Sequence, residues 1–257
     1  MSPLYAEVLA FCRAQLARQS ARPLVIGIQG PQGAGKSTLT RALLNALPEH
    51  GLTGTTVSVD DFYMTRAGQL EVAAAHPGNP YLEHRGYPGT HDVALGEATL
   101  ETLKAGVGNV IVPVYDKSAH VGRGDRAPVE QWRHVSMPIN IVFVEGWMFG
   151  FTPVSESSLA DPFLIEPNRA LAEYDRWYHH IDAWIVLRAL DPNYVLTWRV
   201  EAEERMKASG KPGLSRADIE DYIRRFIPAY QTWGGAPATV PPDRQMEIMV
   251  TLGREMA

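Results

Sequence analysis

The sequence feature that most constrains this chain is a glycine-rich octapeptide that follows a short apolar run. Residues 30–37 read Gly-Pro-Gln-Gly-Ala-Gly-Lys-Ser, that is, a glycine, four free positions and then Gly-Lys-Ser. The run at 24–28 predicts a buried strand, and residues 38–47 have helical spacing that ends at Pro48. A strand, a loop and a helix in this order are the context in which the P-loop pattern binds phosphate. The motif therefore predicts an α/β fold of the P-loop NTPase type, with a parallel sheet flanked by helices.

The chemistry of this loop follows from its backbone. Gly30, Gly33 and Gly35 carry no side chain that would obstruct a phosphate, so amide hydrogens can turn toward the anion. The following helix adds the positive end of its dipole, Lys36 can reach the outer phosphates, and the Ser37 hydroxyl can bind the accompanying magnesium. A glycine-rich turn without a ligand is the alternative. The candidate nucleotide-binding residues are Gly30, Pro31, Gln32, Gly33, Ala34, Gly35, Lys36, Ser37 and Thr38.

Composition narrows the classes of ligand. The chain has 257 residues, 45% of them hydrophobic and 21% charged, which is typical of one globular domain over 1–257. Its formal net charge of -5 gives no general attraction to nucleic acid or to an anionic membrane, so small substrates are favoured.

The single cysteine, Cys12, lies in a periodic apolar stretch, which predicts a packed thiol. No apolar run approaches a membrane span and Glu7 is unlike a signal peptide, so we expect a cytoplasmic protein.

Two acidic positions follow predicted strands. The β-branched run 55–59 ends in Asp60 and Asp61, and the strongly apolar run 138–144 ends in Glu145. The carboxyl ends of parallel strands form the edge where ligands bind. Asp60 or Asp61 can therefore accept a proton from a substrate hydroxyl or hold magnesium through water, although an aspartate pair can also cap a turn. Glu145 occupies the position of the acidic residue that supports magnesium, and a buried glutamate held by other hydrogen bonds is the alternative.

Two loops have the composition of a substrate site. Residues 65–89 contain many Gly, Pro, His and Asn residues without a long period, which predicts an irregular functional loop. His84 and His91 have poor spacing for zinc. Residues 115–126 form the most cationic loop, in which Arg123 and Arg126 can approach an anion, and solvated surface charge explains this loop equally well.

The C-terminal third predicts a lid. Residues 194–209 read as a charged helix, Gly210 to Gly213 interrupt it, Ser215 is a candidate N-cap of a second helix, and Pro228 is predicted to end that helix. Two basic helices joined by a hinge at about 194–228 would cover a triphosphate, and a plain helical hairpin is the alternative. Residues 152–167 read as a surface loop, and strands are predicted at 183–187 and 246–252.

Several ordered motifs together resemble the phosphoribulokinase and uridine kinase group of P-loop kinases, and more closely its D-glycerate 3-kinase branch. The motifs are GPQGAGKS at 30–37, VDDFYMT at 59–65, NPYLEHRGYPGTHD at 79–92, YDKSAHVGRGDR at 115–126, VEGWMFGF at 144–151, GKPGLS at 210–215 and FIPAY at 226–230. Plant members carry a chloroplast transit peptide, whereas this chain begins close to its first helix. We therefore expect a homologue from outside the plastid.

The resemblance implies an ATP-dependent kinase and assigns roles to its residues. Asp60 is expected to act as the base, Lys36 to serve catalysis, and Ser37, Glu145 and Asp60 to organise Mg²⁺. Lid cations that bind phosphate are expected at Arg199, Arg205 and Lys211. The acceptor pocket is expected to include Asp61, Tyr63, Arg85, His91, Asp92, Tyr115, Arg123 and Arg126.

The resemblance implies phosphorylation of D-glycerate to 3-phosphoglycerate. An arginine suits such an acceptor, because it can grip a carboxylate with two hydrogen bonds. Two alternatives stay open at this point. A kinase of another small alcohol, such as a nucleoside or a pantothenate-like molecule, would share the nucleotide site, and a regulatory protein would bind ATP without catalysis. No nucleic-acid or membrane partner is expected, and a monomer and a homodimer both remain possible.

Overall fold

The fold is built around a parallel sheet, seen in a computed structural model that describes residues 3–19, 23–191, 193–208, 220, 223–234 and 240–254. In chain order the strands are β1 (Leu24–Gln29), β2 (Gly54–Ser58), β3 (Asn109–Val112), β4 (Tyr115–Asp116), β5 (Asp125–Arg126), β6 (Arg133–Ser136), β7 (Ile141–Gly146), β8 (Ala183–Ala189) and β9 (Gln245–Val250). The helices are α1 (Pro3–Ala17), α2 (Lys36–Ala46), α3 (Arg66–Ala75), α4 (Val93–Ala105), α5 (Ile165–Ala170), α6 (Asp175–Tyr178), α7 (Tyr194–Ala208) and α8 (Ile227–Thr232).

Five strands form the main sheet in the order β2-β7-β1-β8-β9, and every neighbouring pair is parallel. Glu145 near the end of β7 lies opposite Ile28 of β1 on one side and Ser58 of β2 on the other. This register brings the carboxyl ends of three strands to one edge of the sheet. The loop after β1, the turn after β2 and the end of β7 therefore meet there, as the sequence predicts for P-loop proteins.

Alternating side chains of the strands divide the core into two hydrophobic clusters. Val25 and Trp184 belong to one cluster, whereas Ile26 and Ile185 belong to the other, because successive strand residues point to opposite faces. Helices α1 and α2 contribute to the second cluster, and α4 contributes to the first. A Cβ on Gly27 would lie 2.7 Å from the Trp184 ring, so the indole packs directly on the backbone of β1.

Two small antiparallel strand pairs lie outside the main sheet. Strands β3 and β6 form the first pair, and β4 and β5 form the second. The second pair is a hairpin, called the second hairpin below, and it is the cationic loop predicted at 115–126. Its turn, Ala119–Gly122, places His120 and Val121 at φ of 51° and 58°.

The prediction of an irregular loop over residues 65–89 is wrong in part, because this segment contains the ten-residue helix α3. The helix begins after Thr65, whose side chain accepts a hydrogen bond from the Gly68 amide over 3.3 Å. Gln69 is its buried residue and Leu70 is half exposed. A helix that buries a polar side chain has no apolar stripe, so the periodicity that normally indicates a helix is missing.

Three prolines lie at or near the ends of helices. Helix α2 ends at Ala46, just before Pro48, as predicted, and a 3₁₀ turn at Leu47–His50 follows it. Pro167 lies inside α5, although 152–167 was predicted as a loop. Pro228 lies in the first turn of α8 and so begins a helix, where its missing amide hydrogen removes no helical hydrogen bond.

The first predicted lid helix is present as α7. The hinge at Gly210 to Gly213 and the second helix from Ser215 lie outside the described residues. Among the helices that the structure describes, none combines the length and apolar character needed to cross a bilayer.

Candidate active site

The P-loop spans the gap between β1 and α2, as predicted. Gly33 and Gly35 have φ of 83° and 99°, a conformation that side-chain-bearing residues rarely adopt. Gly35 is also the N-cap of α2, where no side chain of the described residues caps the helix. The first turn of α2 thus has no side-chain cap, although the Thr38 amide donates to the Gly35 carbonyl over 3.0 Å. A helix N-terminus without a side-chain cap is the arrangement that binds phosphate.

Lys36 is folded back onto its own loop. Its ammonium donates hydrogen bonds to the carbonyl oxygens of Gly30 and Pro31, over 2.6 Å and 3.1 Å. Burial lowers the pKa of Lys36, and the carboxylates of Glu145 and Asp60 oppose that shift. The lysine, the predicted base and the predicted metal-supporting glutamate thus form one electrostatic cluster.

Ser37 and Glu145 meet across the edge of the sheet. The Ser37 hydroxyl donates to Glu145 Oε1 over 3.3 Å. Two oxygen groups that the sequence predicts as magnesium ligands are therefore neighbours, although they are 108 positions apart in the chain.

Asp60 lies in the 3₁₀ turn Val59–Phe62 that follows β2, and it forms an ion pair with Lys117 of the second hairpin. The Asp60 side chain is 24% exposed and that of Lys117 is 59% exposed. Burial alone would raise the pKa of Asp60, but the adjacent Lys117 ammonium and, more weakly, Lys36 outweigh it and hold the pKa below its usual range. The carboxylate is thus ionised, the state that a proton acceptor requires.

Asp61 faces a different direction. Its Oδ1 accepts a hydrogen bond from the Tyr115 amide over 3.2 Å, and burial raises the pKa of this carboxyl group. Tyr115 in turn lies edge-on to Tyr63, with 5.3 Å between ring centroids. Asp61 thus anchors the second hairpin against the turn that carries Asp60, whereas the sequence assigned it to the acceptor pocket. The acceptor role of Asp61 and Tyr63 remains a prediction.

His91 is a buried, neutral histidine behind Asp60. It stacks on Tyr63 at 4.3 Å, and its Nδ1 forms a 2.7 Å hydrogen bond with the hydroxyl of Tyr174. Burial lowers the pKa of His91 to about 3, although the charge of Asp60 opposes the shift. The Gly89 amide donates to the same hydroxyl over 3.2 Å. His91 Nε2 has no hydrogen-bond partner among the described residues.

Asp92 and Arg126 are paired with each other. Arg126 donates from one NH₂ group to Asp92 Oδ2 and to the carbonyl of Tyr63, both over 3.0 Å. Asp92 is also the N-cap of α4, accepting from the Leu95 amide over 3.0 Å. The pair ties the start of α4 to the second hairpin.

Arg85 and Arg123 likewise have partners within the protein. Arg85 donates to the carbonyls of Gly122 (3.1 Å) and Arg123, and its guanidinium lies over the Tyr115 ring at 5.4 Å. Arg123 is exposed and hydrogen-bonds to the ring of His84. These contacts brace the turn of the second hairpin.

Comparison with known proteins agrees with this geometry. Residues 25–161 match the model of the phosphoribulokinase / uridine kinase family. The chain belongs to this family. It is 40% identical to the chloroplastic D-glycerate 3-kinase of Arabidopsis thaliana over 95% of its own length, but it spans 58% of that relative. It is 36% identical to an uncharacterized kinase of Schizosaccharomyces pombe, with 87% of this chain and 85% of the relative covered.

A solved structure extends the similarity to the whole fold. The D-glycerate 3-kinase of Cryptococcus neoformans superimposes with a TM-score of 0.90 at 31% identity, and the match covers 100% of this chain and 98% of that one. The parallel sheet flanked by helices is therefore the kinase fold of this family.

The predicted lid cations are described only in part. Arg199 lies on α7 and is half-buried, next to Trp198, which packs under Gly33. The side chain of Arg205 and the whole of Lys211 lie outside the described residues. The assignment of all three to phosphate binding remains a prediction.

Sequence reasoning missed three residues of this site. Lys117 was overlooked beside the more conspicuous arginines of its loop. Tyr230 accepts a hydrogen bond from the Gln32 amide over 3.1 Å and packs edge-on against Trp147, so α8 reaches the P-loop. Arg254 donates from Nε to the Gly33 carbonyl over 2.8 Å and pairs with Glu201 at 2.7 Å. Lys117 and Tyr230 lay within quoted motifs, but no sequence signal pointed to Arg254.

Proposed function

We propose that this chain is a magnesium-dependent kinase that transfers the γ-phosphoryl group of ATP to the 3-hydroxyl of D-glycerate. The observation that carries the proposal is the meeting of Asp60, Lys36 and Glu145 at the edge of the sheet. Asp60 follows β2, in which Ser58 lies opposite Glu145. Lys36 folds back onto the P-loop, and the adjacent Ser37 bonds Glu145. Such a cluster provides a proton acceptor, a phosphate-binding cation and a metal-supporting carboxylate together. The similarity to two D-glycerate 3-kinases supports the choice of acceptor.

The residues present fit a bound magnesium ion. The Ser37 hydroxyl and the Glu145 carboxylate supply hard oxygen donors 3.3 Å apart. The described residues contain no group of three or more His, Cys, Asp or Glu side chains that could hold a metal. This agrees with magnesium, which is usually bound by one or two protein groups together with water and substrate phosphates. When bound, magnesium supplies positive charge that offsets the charge of the phosphates; Asp60 could support it through water.

The roles of the protein groups follow from their positions. The P-loop amides and Lys36 hold and orient the β- and γ-phosphates. Asp60 orients the acceptor hydroxyl and accepts its proton as the new oxygen–phosphorus bond forms. The bond between the γ-phosphorus and the bridging oxygen breaks, and ADP leaves with that oxygen. Residues 79–92 and the second hairpin line the approach to Asp60 and form the acceptor side.

ATP consumption by the purified protein tests the proposal. The protein is assayed with magnesium and equal concentrations of D-glycerate, L-glycerate, uridine or pantothenate, and the product is identified by its phosphorylation site. Stimulation by D-glycerate alone, with phosphate on the 3-hydroxyl, is the expected result. ATP binding without stimulation by any acceptor would remove the glycerate assignment and favour a regulatory role. Stimulation by uridine or pantothenate would replace glycerate with another acceptor.

A further inference from the structure

The three arginines predicted to grip the acceptor are used by the protein itself. Arg85 holds carbonyl oxygens of the second hairpin, Arg123 contacts the His84 ring, and Arg126 pairs with Asp92. Each of these arginines is therefore already held by contacts within the protein, and none of these contacts involves the predicted base. Lys117, in contrast, contacts Asp60 itself.

Lys117 is the cation in direct contact with Asp60. Its ammonium bonds Asp60 Oδ2, and more than half of the side chain is exposed, so a small substrate can reach it. The hairpin that presents it is supported by Arg85, which bonds the carbonyl of Gly122 over 3.1 Å and lies over the Tyr115 ring.

An acidic acceptor creates an electrostatic problem at this position. Its carboxylate must approach both Asp60 and the triphosphate, and like charges in a partly buried site repel strongly. In a three-carbon hydroxy acid the carboxylate is only two carbon–carbon bonds from the carbon that bears the terminal hydroxyl. If that hydroxyl contacts Asp60, the carboxylate lies within the range of a lysine already bonded to the same aspartate. A lysine ammonium can rotate its three donors to serve two carboxylates.

We infer that Lys117 binds the carboxylate of the acceptor and determines the preference of this enzyme for a hydroxy acid. The inference rests on the proposed function, because it assigns the charged end of the same substrate. It adds to the arginines of the sequence-based prediction, which remain predictions, a lysine that contacts the base. A neutral alcohol would gain nothing from this residue.

The test compares D-glycerate with glyceramide, the uncharged amide of the same acid, in the unaltered protein and in Lys117→Met and Lys117→Arg. In Lys117→Met we expect kcat/KM for D-glycerate to fall at least about tenfold relative to glyceramide, since hydrogen bonds to charged groups contribute this much. KM for ATP should change less than about twofold. Lys117→Arg should restore part of the preference, because it keeps the charge.

Lys104→Met is the matched control. It also removes a lysine from an ion pair with an aspartate, Asp182 at 2.9 Å, but at the end of α4 away from Asp60. Its effect is expected on stability and not on the preference for the acid. Thermal unfolding of each variant shows that it is folded, and Lys117→Gln provides the same comparison if the methionine variant fails to fold.

Three results would overturn the inference. An equal loss for D-glycerate and glyceramide would mean that Lys117 serves only Asp60. The same equal loss with a raised KM for ATP would assign Lys117 to the phosphates. An unaltered protein that does not phosphorylate D-glycerate would overturn the proposed function as well, and this result is distinguished by appearing before any substitution is made.

Discussion

Ser37 and Glu145 join the P-loop to the end of β7 through a hydrogen bond of 3.3 Å between hydroxyl and carboxylate. The contact depends on the sheet register, because β7 pairs with β1 along its whole length and so ends beside the loop. An oxygen pair fixed by strand pairing is suited to a cation that tolerates little variation in geometry.

Replacement of Glu145 by glutamine is expected to weaken the response to magnesium. The amide keeps the size of the side chain but removes the negative charge, so kcat should fall by about 100-fold and the magnesium concentration for half-maximal rate should rise. Magnesium titrations at saturating ATP measure both effects. The control is Glu247→Gln on β9, which removes one partner of an exposed ion pair with Arg188 of β8. An unchanged magnesium response in Glu145→Gln would remove Glu145 from the metal site.

Asp60→Asn tests the proton acceptor. The amide preserves shape but cannot take a proton, and general-base catalysis contributes roughly 10²–10⁴-fold, so kcat should fall within that range. Binding of ATP should persist, as measured by calorimetry. Lys36→Ala should also abolish turnover, but together with weaker ATP binding. Near-normal turnover in Asp60→Asn would show that another group accepts the proton.

The edge of the sheet could be predicted from the sequence, because each of its parts carries a local signal. The octapeptide at 30–37 marks the end of β1, and apolar runs that end in Asp60 and Glu145 mark β2 and β7. Parallel strands then bring the three ends together by a general rule. No long-range information is needed for this part of the site.

The acceptor side could not be predicted in the same way. The contact between Lys117 and Asp60 joins residues 57 positions apart, and that between Arg254 and Gly33 joins residues 221 apart. Such contacts depend on how a hairpin or a terminal loop packs against the rest of the protein. Sequence periodicity indicates local helices and strands but not this packing. Composition correctly indicated a cationic loop, but only packing decides that its arginines bond to the protein while its lysine faces the aspartate.

Arg254 is expected to maintain the shape of the P-loop. Its Nε bonds the Gly33 carbonyl, its guanidinium pairs with Glu201, and it lies over the Trp198 ring at 5.6 Å. In Arg254→Ala we expect KM for ATP to rise about tenfold with a smaller change in kcat, because a hydrogen bond from a charged group is lost. Arg254→Lys should recover little, since an ammonium lacks the planar fork. Arg18→Ala, which removes an exposed ion pair with Asp243, is the control. Unchanged KM for ATP in Arg254→Ala would contradict this role.

His91 is expected to make stability depend on pH. Burial between Tyr63 and Tyr174 lowers the pKa of His91 to about 3, with nearby Asp60 opposing the shift, so below about pH 6.5 the unfolded chain binds a proton that the folded chain excludes. The contribution of neutral His91 to the free energy of unfolding is therefore fully present above about pH 6.5. It decreases as pH falls below that value, by about 1.4 kcal/mol per pH unit.

Urea unfolding of the unaltered protein and of His91→Phe measures this term. The phenyl ring keeps the stacking on Tyr63 but does not titrate, so the difference in free energy of unfolding between the two proteins should shift in favour of the variant as pH decreases from 6.5 to 4. His50→Gln, which replaces an exposed histidine, is the control. A difference that is constant with pH would show that His91 titrates normally.

Alanine substitutions at three glycines with positive φ can distinguish the effect of backbone strain on stability from an effect on ATP binding. Gly51, Gly35 and Gly33 have φ of 65°, 99° and 83°, and a Cβ meets nothing within 4 Å at the first two but lies 2.5 Å from Trp198 Cβ at the third. Gly51→Ala, remote from the site, should cost only the strain of roughly 1–3 kcal/mol. Gly35→Ala should cost a similar amount and also raise KM for ATP, because its methyl group enters the space at the N-terminus of α2. Gly33→Ala should be the least stable of the three, since the clash with Trp198 adds to the strain. Urea unfolding and ATP kinetics on the three variants test this order, and equal ATP kinetics in Gly51→Ala and Gly35→Ala would argue against phosphate binding at the helix N-terminus.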